Sequence, residues 1–259
     1  MKIIHVILHL LWIAVLTALT QVGGIIWIIS LIIAYHFNKK KRYVFPLTYL
    51  VFNLMIIPPI AKISGREKLP VFSNPLHAQN IMYALMFRNY VSPDLRRLLI
   101  SASEELYPYG IAITYLDANF PFIDGFPLWP HLSHNDGEKI DIAFMYLDSQ
   151  GTSTLKKPSL SGYGVYVDSQ NPMADYCANN GHWQYDFPKY LTFGTLRTLS
   201  LDQPNTILLI KQLLKKPSTE KIFIEPYLKQ QLGLSGYSKI RFHGCKAVRH
   251  DDHIHLQIK

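Results

Sequence analysis

Acidic residues are missing from the first quarter of this chain. Residues 1–63 hold no Asp or Glu and six basic residues (Lys2, Lys39, Lys40, Lys41, Arg42, Lys62), whereas all 18 acids follow residue 63. The remainder sets 20 cations against 18 acids, so residues 64–259 carry only about +2 of the formal +8. The basic balance is therefore a membrane signature. A stripe of Lys and Arg interleaved with aromatics is also lacking, which argues against nucleic acid as a partner. Cysteine is scarce: Cys177 and Cys245 alone exclude a disulfide framework and a four-thiolate zinc site. Pairing in an oxidising compartment and separate burial as small core residues both remain open. No internal repeat or low-complexity tract appears, and no small-residue cleavage site ends the first apolar run, which argues for an uncleaved anchor.

Long apolar runs are what the first quarter does contain. Ile3 to Thr20 is apolar apart from His5, His9 and two threonines, and Gly23 to Phe37 is apolar again after the Gln21-Val22-Gly23-Gly24 break. As one helix these 35 residues would far exceed the ~20 that cross a bilayer core, so two spans joined by a tight turn are expected, the second short enough to tilt or re-enter. Lys39-Lys40-Lys41-Arg42 stops the run, and Tyr43 to Ala61 supplies a third span. By the positive-inside rule the cation cluster stays in the cytoplasm, and everything after the third span lies outside. The expected address is a membrane, with the following domain on its non-cytoplasmic side. His5, His9 and His36 read as interfacial or helix-packing residues, since nothing acidic or thiolate accompanies them.

From residue 64 the pattern is that of a globular α+β domain long enough to bury a core. Residues 1–63 are the membrane anchor of three transmembrane helices, 64–90 a linker (Ser64 to Pro75) with a lead-in helix (Leu76 to Phe87), and 91–259 the functional domain. Ser92-Pro93-Asp94 is a helix start, followed by an apolar face of Leu95, Leu98, Leu99 and Leu106. Strands are expected at 110–116, 140–147, 221–224, 239–242 and 253–258, helices at 205–215 and from Pro226, and a loop over 117–136. The expected fold is a small, mostly antiparallel sheet flanked by helices, with a zinc cleft.

Of 11 histidines, five lie in two short segments, His131-Leu-Ser-His134-Asn-Asp-Gly-Glu-Lys-Ile-Asp141 and His250-Asp-Asp-His253-Ile-His255. The first places a histidine in a Gly-containing turn seven residues before an aspartate at the head of an apolar strand. The second places two histidines at i and i+2, on one side of a strand. Imidazole and carboxylate are the nitrogen and oxygen donors zinc favours, and a catalytic zinc takes three of them and keeps a fourth position open.

His134-x2-Gly137-x3-Asp141 with His253-x-His255 resembles the signature of the zinc peptidases that group lysostaphin-type endopeptidases, D-alanyl-D-alanine carboxypeptidases and the hedgehog signalling domain. Within that group, His131-x2-His134-x6-Asp141 with His250-Asp-Asp-His253-x-His255 is most similar to the penicillin-insensitive murein endopeptidases. The stretches Thr206-Ile-Leu-Leu-Ile-Lys and Lys221-Ile-Phe-Ile-Glu-Pro-Tyr-Leu-Lys-Gln-Gln-Leu share that likeness, which covers about residues 92–258. The resemblance implies Zn2+ held by His134, Asp141 and His255, with His253, His250 and His131 beside it, and peptidoglycan peptides as the partner and substrate. Residues 107–130 depart from the family's usual run, the Arg that many carboxypeptidase relatives place before the first His is absent, and the three-span anchor is atypical.

No Glu base is evident near the ligands, so His253 is the expected general base and His250 or His131 the oxyanion or proton-relay group. Asp251 or Asp252 is placed to orient a histidine through its second ring nitrogen, or else to sit in a solvated turn. Asp136 and Glu138 read as turn residues, with support of the metal loop the alternative for Asp136. His182, Asp168 and Asp186 belong to a polar loop able to line the cleft, and His77 and His243 read as structural. The competing functions are a non-catalytic zinc-containing wall-binding or signalling module, and a peptidase acting on envelope proteins.

Overall fold

Three apolar helices come first. The structure is a computed structural model describing residues 2–167, 175–196 and 198–259. Helix α1 (Lys2–Thr20) and α2 (Gly23–His36) are joined at Gln21 and Val22. The turn is tight because Gly23 and Gly24 face the preceding helix: a Cβ on Gly24 would meet Thr17 Oγ1 at 2.1 Å, and one on Gly23 would meet Thr20 Oγ1 at 2.5 Å. Helix α3 runs from Lys41 to Ile63 and widens into a π-helical turn over Phe52–Ile56. That turn sits just ahead of Pro58 and Pro59, which cannot donate to the ladder; instead Ile57 N–H reaches Phe52 C=O.

Among the described residues, only α1 and α3 are long and apolar enough to cross a membrane. Helix α2, at 14 residues, is about 21 Å long against a hydrocarbon core of about 30 Å, the short second segment that the sequence leaves to tilt or re-enter. Its Trp27 donates to His9 Nδ1 at 3.3 Å, a helix-packing contact of the kind expected for the anchor histidines.

The expected linker is not a free tether. Arg66 and Leu69 are buried, and Glu67–Lys68 pairs antiparallel with Tyr90–Val91. The ammonium of Lys68 donates to the backbone carbonyl and side-chain oxygen of Asn53, both at 2.9 Å, inside α3. The polar residues of this segment hold the domain to the bundle. An apolar cluster of Val22, Ile26, Ile57, Ala61, Phe87 and Tyr90 fills the same seam. The lead-in helix over 76–87 is also corrected: Leu76–Ala78 is strand β1, and only Ile81–Leu85 is helical (α4). Leu76 and Ala78 are buried at strand spacing, and the parallel partner supplied by Ile113–Tyr115 overrides the local helical pattern.

The domain is α+β. Six strands, β1 (Leu76–Ala78), β2 (Ile113–Tyr115), β3 (Lys139–Ala143), β4 (Thr219–Phe223), β5 (Ile240–Arg241) and β6 (His253–Ile258), form one sheet in the order β5-β4-β6-β3-β2-β1. The inner pairings β4-β6, β6-β3 and β3-β2 are antiparallel, and the two outer ones are parallel. One sheet face carries Ile140, Ile142, Ile222, Ile254, Leu256 and Ile258 into the main core. Helix α5 (Pro93–Leu106) and helix α6 (Gln203–Lys215) contribute Leu95, Leu99, Leu209 and Leu213 to that core. Ser92 caps α5 by accepting from Leu95 N–H at 3.3 Å, and Asp202 caps α6 by accepting from Asn205 N–H at 3.2 Å. A last short helix, α7, spans Pro226–Gln231.

Cys177 and Cys245 form a disulfide with 5.1 Å between their Cα atoms, which resolves the alternatives left open above. It ties the helical turn Tyr176–Asn179 to the loop that leads into β6. Cys245→Ser is expected to cost about 2–4 kcal/mol, read as a lower unfolding temperature of the full chain in detergent. An unchanged midpoint would show that the bridge does not constrain the loop.

Candidate metal centre

Antiparallel pairing brings the two histidine segments together. His255 on β6 stands directly opposite Asp141 on β3, and the alternation that sends Ile254 and Leu256 into the core sends His253, His255 and Asp141 to the other face. His134 arrives from the loop before β3, where its Nδ1 meets Ala118 C=O at 2.9 Å. That bond makes Nδ1 the protonated nitrogen and leaves Nε2 a bare lone pair.

His134 Nε2, Asp141 Oδ1 and His255 Nδ1 converge. Their separations are 3.1 Å between the two nitrogens, 3.2 Å from His134 to the carboxylate and 2.9 Å from His255 to it. Donors about 2 Å from a shared tetrahedral cation stand about 3.3 Å apart. All three residues are buried, and the set can hold a metal ion. Asp141 presents Oδ1 because its other oxygen is occupied: Tyr163 donates its hydroxyl to Oδ2 at 2.8 Å. Burial raises the Asp141 carboxyl, but His134, His253 and His131 outweigh it and hold the group well below the usual carboxylate range. Burial and the charges of Asp141 and Asp117 raise Tyr163 well above the usual phenol range, so it stays a neutral donor.

Three more histidines ring the ligands. His253 is held by Asp252, whose Oδ1 lies 2.5 Å from its Nδ1, while Nε2 points toward Asp141 Oδ1 at 3.5 Å. His131 Nδ1 lies 3.0 Å from Asp117 Oδ2, and Asp117 is in turn paired with Arg88 at 2.8 Å. The nitrogens His131 Nε2, His253 Nε2, His255 Nε2 and His250 Nδ1 are buried and have no hydrogen-bond partner among the described residues. An imidazole nitrogen left in this state costs about 1–3 kcal/mol, which a stability-driven site would not retain four times over. Burial lowers His253, but Asp141 and Asp252 overcome that and push it up to about 9. Burial, the largest influence on both, takes His255 down to about 3 and His250 well below its ordinary value.

The alternative of a solvated turn for Asp251 and Asp252 is corrected, since both are buried. Asp252 orients His253 and accepts Gly164 N–H at 2.6 Å. Gly164 has a positive φ, and a Cβ there would meet Pro188 C=O at 2.2 Å, so this approach requires glycine. Asp251 does not touch a candidate ligand. It binds Arg249 at 2.5 Å and accepts the Tyr227 hydroxyl at 2.6 Å, bracing the chain ahead of β6. Glu225 completes the brace, accepting His250 N–H at 3.0 Å and the Tyr185 hydroxyl at 2.6 Å.

Asp136 pairs with Lys139 and caps Glu138 N–H at 2.9 Å, as expected of a turn. His77 bonds Thr114 at 3.0 Å on the sheet's outer strands. His243, expected to be structural, belongs to the site's surroundings: its ring stacks on Phe223 at 4.1 Å and stands 5.3 Å from His250. Asp186 lies 3.7 Å from Arg249, His182 donates its backbone N–H to Cys177 C=O at 3.2 Å, neither lines the cavity that reaches His250 and His255, and Asp168 lies outside the described residues. Tyr163, Asp117, Arg88 and Glu225 carry no local sequence signal, because only the fold brings them here. No known protein-family model matches the chain, and no curated protein matches it.

Two outcomes test this geometry. Metal analysis of the full chain should find one tightly held divalent ion per molecule, and His134→Ala or Asp141→Asn should lose at least nine-tenths of it; full occupancy in either variant would refute the ligand set. Burial pushes Glu225 up to about 7, so the folded chain keeps a proton that the unfolded chain releases. Its stabilising contribution is complete below about pH 4.5 and is lost as pH rises through 7, a change on the order of 3 kcal/mol at most. Thermal melts across pH 5–8 should therefore fall less steeply for Glu225→Gln than for the parent chain, and parallel curves would count against the assignment.

Proposed function

We propose that this chain is a membrane-anchored zinc metallopeptidase of the bacterial envelope, of the penicillin-insensitive murein endopeptidase type, that hydrolyses peptide bonds in peptidoglycan cross-links. The observation that carries this reading is the convergence of His134 Nε2, Asp141 Oδ1 and His255 Nδ1 beside unpartnered nitrogens of His253 and His131. Two imidazoles and one carboxylate are a donor set that suits zinc and leaves a fourth position for chemistry. When bound, zinc supplies Lewis-acid activation of water and of the scissile carbonyl.

The chain's own residues do the rest. Tyr163 keeps Asp141 turned so that Oδ1 faces its partners. Asp252 fixes the ring of His253 and makes Nε2 its reactive nitrogen. With a metal on Asp141 that carboxylate would raise His253 less, and Nε2 would accept a proton and return it to the leaving amine. His131, held at Nδ1 by Asp117, would as an imidazolium donate its Nε2–H to a developing oxyanion. His250, neutral and buried, packs beside His253 with 5.0 Å between ring centres.

The three apolar helices are read as an inner-membrane anchor with Lys39–Arg42 in the cytoplasm and with the Gln21 turn, the end of α3 and the metal centre on the periplasmic side. Incubation of the full chain with purified sacculi is expected to release uncrosslinked peptides. His253→Ala should bind its metal normally and lose at least a hundredfold in that release. Co-sedimentation with sacculi without release would favour the wall-binding alternative, and unchanged turnover in His253→Ala would remove that residue from the chemistry.

A further inference from the structure

The ligands occupy only one part of a longer depression. On one side of His131 a cavity of about 420 Å3 is lined by Trp129, Trp183, Phe187 and Lys246 and reaches His250 and His255. On the other side a second cavity of about 530 Å3 is walled by Met82, Met86, Leu160, Leu191 and Phe193 and ends on His131 and Tyr163. Pro130 and His131 line both. The candidate reaction centre is thus a saddle between two pockets, the layout an extended polypeptide needs if residues on both sides of the reacting amide are to be held.

The larger pocket is apolar, and its polar end is already engaged. Arg88 binds Asp117 and donates to Trp129 C=O at 2.6 Å, and Asp117 holds His131. Among the described residues that line it, no free charge remains to recognise a carboxylate or an ammonium group. Walls of methionine, leucine and phenylalanine select a large apolar side chain and gain nothing from a methyl group or a charged one. Peptidoglycan cross-links, built from alanine and a charged diamino acid, would leave this pocket unfilled.

The pocket's position points the same way. Its Met82 and Met86 wall belongs to α4 and its C-terminal turn, which are fastened to α3: Tyr49 donates to Leu85 C=O at 2.6 Å and Asn53 to Ala84 C=O at 2.8 Å. At 1.5 Å per residue those bonds lie about 12 and 18 Å along the helix from Lys41, well inside the about 30 Å that a bilayer core spans. The rim residues Met82, Leu160 and Phe193 are 53%, 59% and 77% exposed, an apolar mouth that lies beside the membrane when α3 is read as a span.

We propose that this cavity is a specificity pocket for a large apolar side chain of a polypeptide presented at or within the membrane surface, next to the bond cut at the metal centre. The inference rests on the peptidase reading and adds a membrane-protein segment to murein as a substrate class. The test uses the full chain in phospholipid nanodiscs and blocked alanine hexapeptides carrying Gly, Ala, Leu or Phe at each position, with sacculi alongside. Cleavage of the best Phe and Leu peptides should exceed that of the Gly peptide at least tenfold in kcat/KM. Leu160→Trp and Met82→Trp, both at exposed rim positions, should lower that ratio at least fivefold with metal content unchanged.

Binding of the same peptides to metal-loaded His253→Ala, by displacement of a dansylated Phe peptide, separates the two claims. A tenfold Phe-over-Gly binding preference without cleavage of any substrate by the parent chain would refute the peptidase reading and leave the pocket's ligand standing. Flat cleavage across the series would overturn the pocket and keep the peptidase. A phospholipid retained in native mass spectrometry and expelled by Leu160→Trp would also overturn it, by assigning the cavity to an acyl chain.

Discussion

A single buried carboxylate organises this site. Asp141 is fully buried, and desolvating a carboxylate costs several kcal/mol unless its oxygens are matched. Here they are matched by groups of different kinds: Oδ1 faces His134, His253 and His255, while Oδ2 receives the Tyr163 hydroxyl and lies 3.4 Å from His131. The charge therefore decides which way four imidazoles and a phenol turn. Its backbone is equally committed, since Asp141 N–H donates to Asp117 C=O and its own C=O accepts from Leu116 N–H, both at 2.8 Å. A one-residue slip of β3 would exchange Asp141 for Ile140 or Ile142 and move the charge into the apolar core.

The brace behind the site explains why so many polar residues are buried around so few ligands. Arg249, Asp251, Tyr227, Glu225 and Tyr185 line the same stretch of chain, and the Cys177–Cys245 bridge closes the region from the outside. None of these residues is a candidate ligand. Together they fix the chain at His250 and Asp252 immediately before β6 begins, so His253 enters the sheet in one orientation only.

Much of this could be read from the sequence because the decisive residues lie on regular elements or close to one. The i, i+2 spacing of His253 and His255 states their common side once β6 is recognised, and β6 begins and ends where its alternation does. Ser92 announces α5 by its position before a proline and an apolar stripe. The supporting residues were illegible for the opposite reason. Tyr163 meets Asp141 from 22 positions away and Glu225 meets His250 from 25, and a lone tyrosine or glutamate carries no local pattern. The segment 64–75 misled because polarity and prolines look alike in a tether and in a seam, and its partners Asn53 and Tyr90 are identifiable only after folding. Helical spacing over 76–87 yielded to a parallel strand partner that no local signal marks.

The turn between the first two helices bears on how the molecule can be handled. Gln21 accepts Phe122 N–H at 2.9 Å and Ile123 N–H at 3.3 Å and donates to Ile123 C=O, gripping the loop that ends in His131 and His134. A fragment begun after residue 63 would lose that grip and would uncover Phe87 and Tyr90, both now fully buried. The apolar N-terminal helices are therefore part of the scaffold that shapes the loop of His131 and His134, and a version shortened to residues 64–259 would be a different protein at that loop.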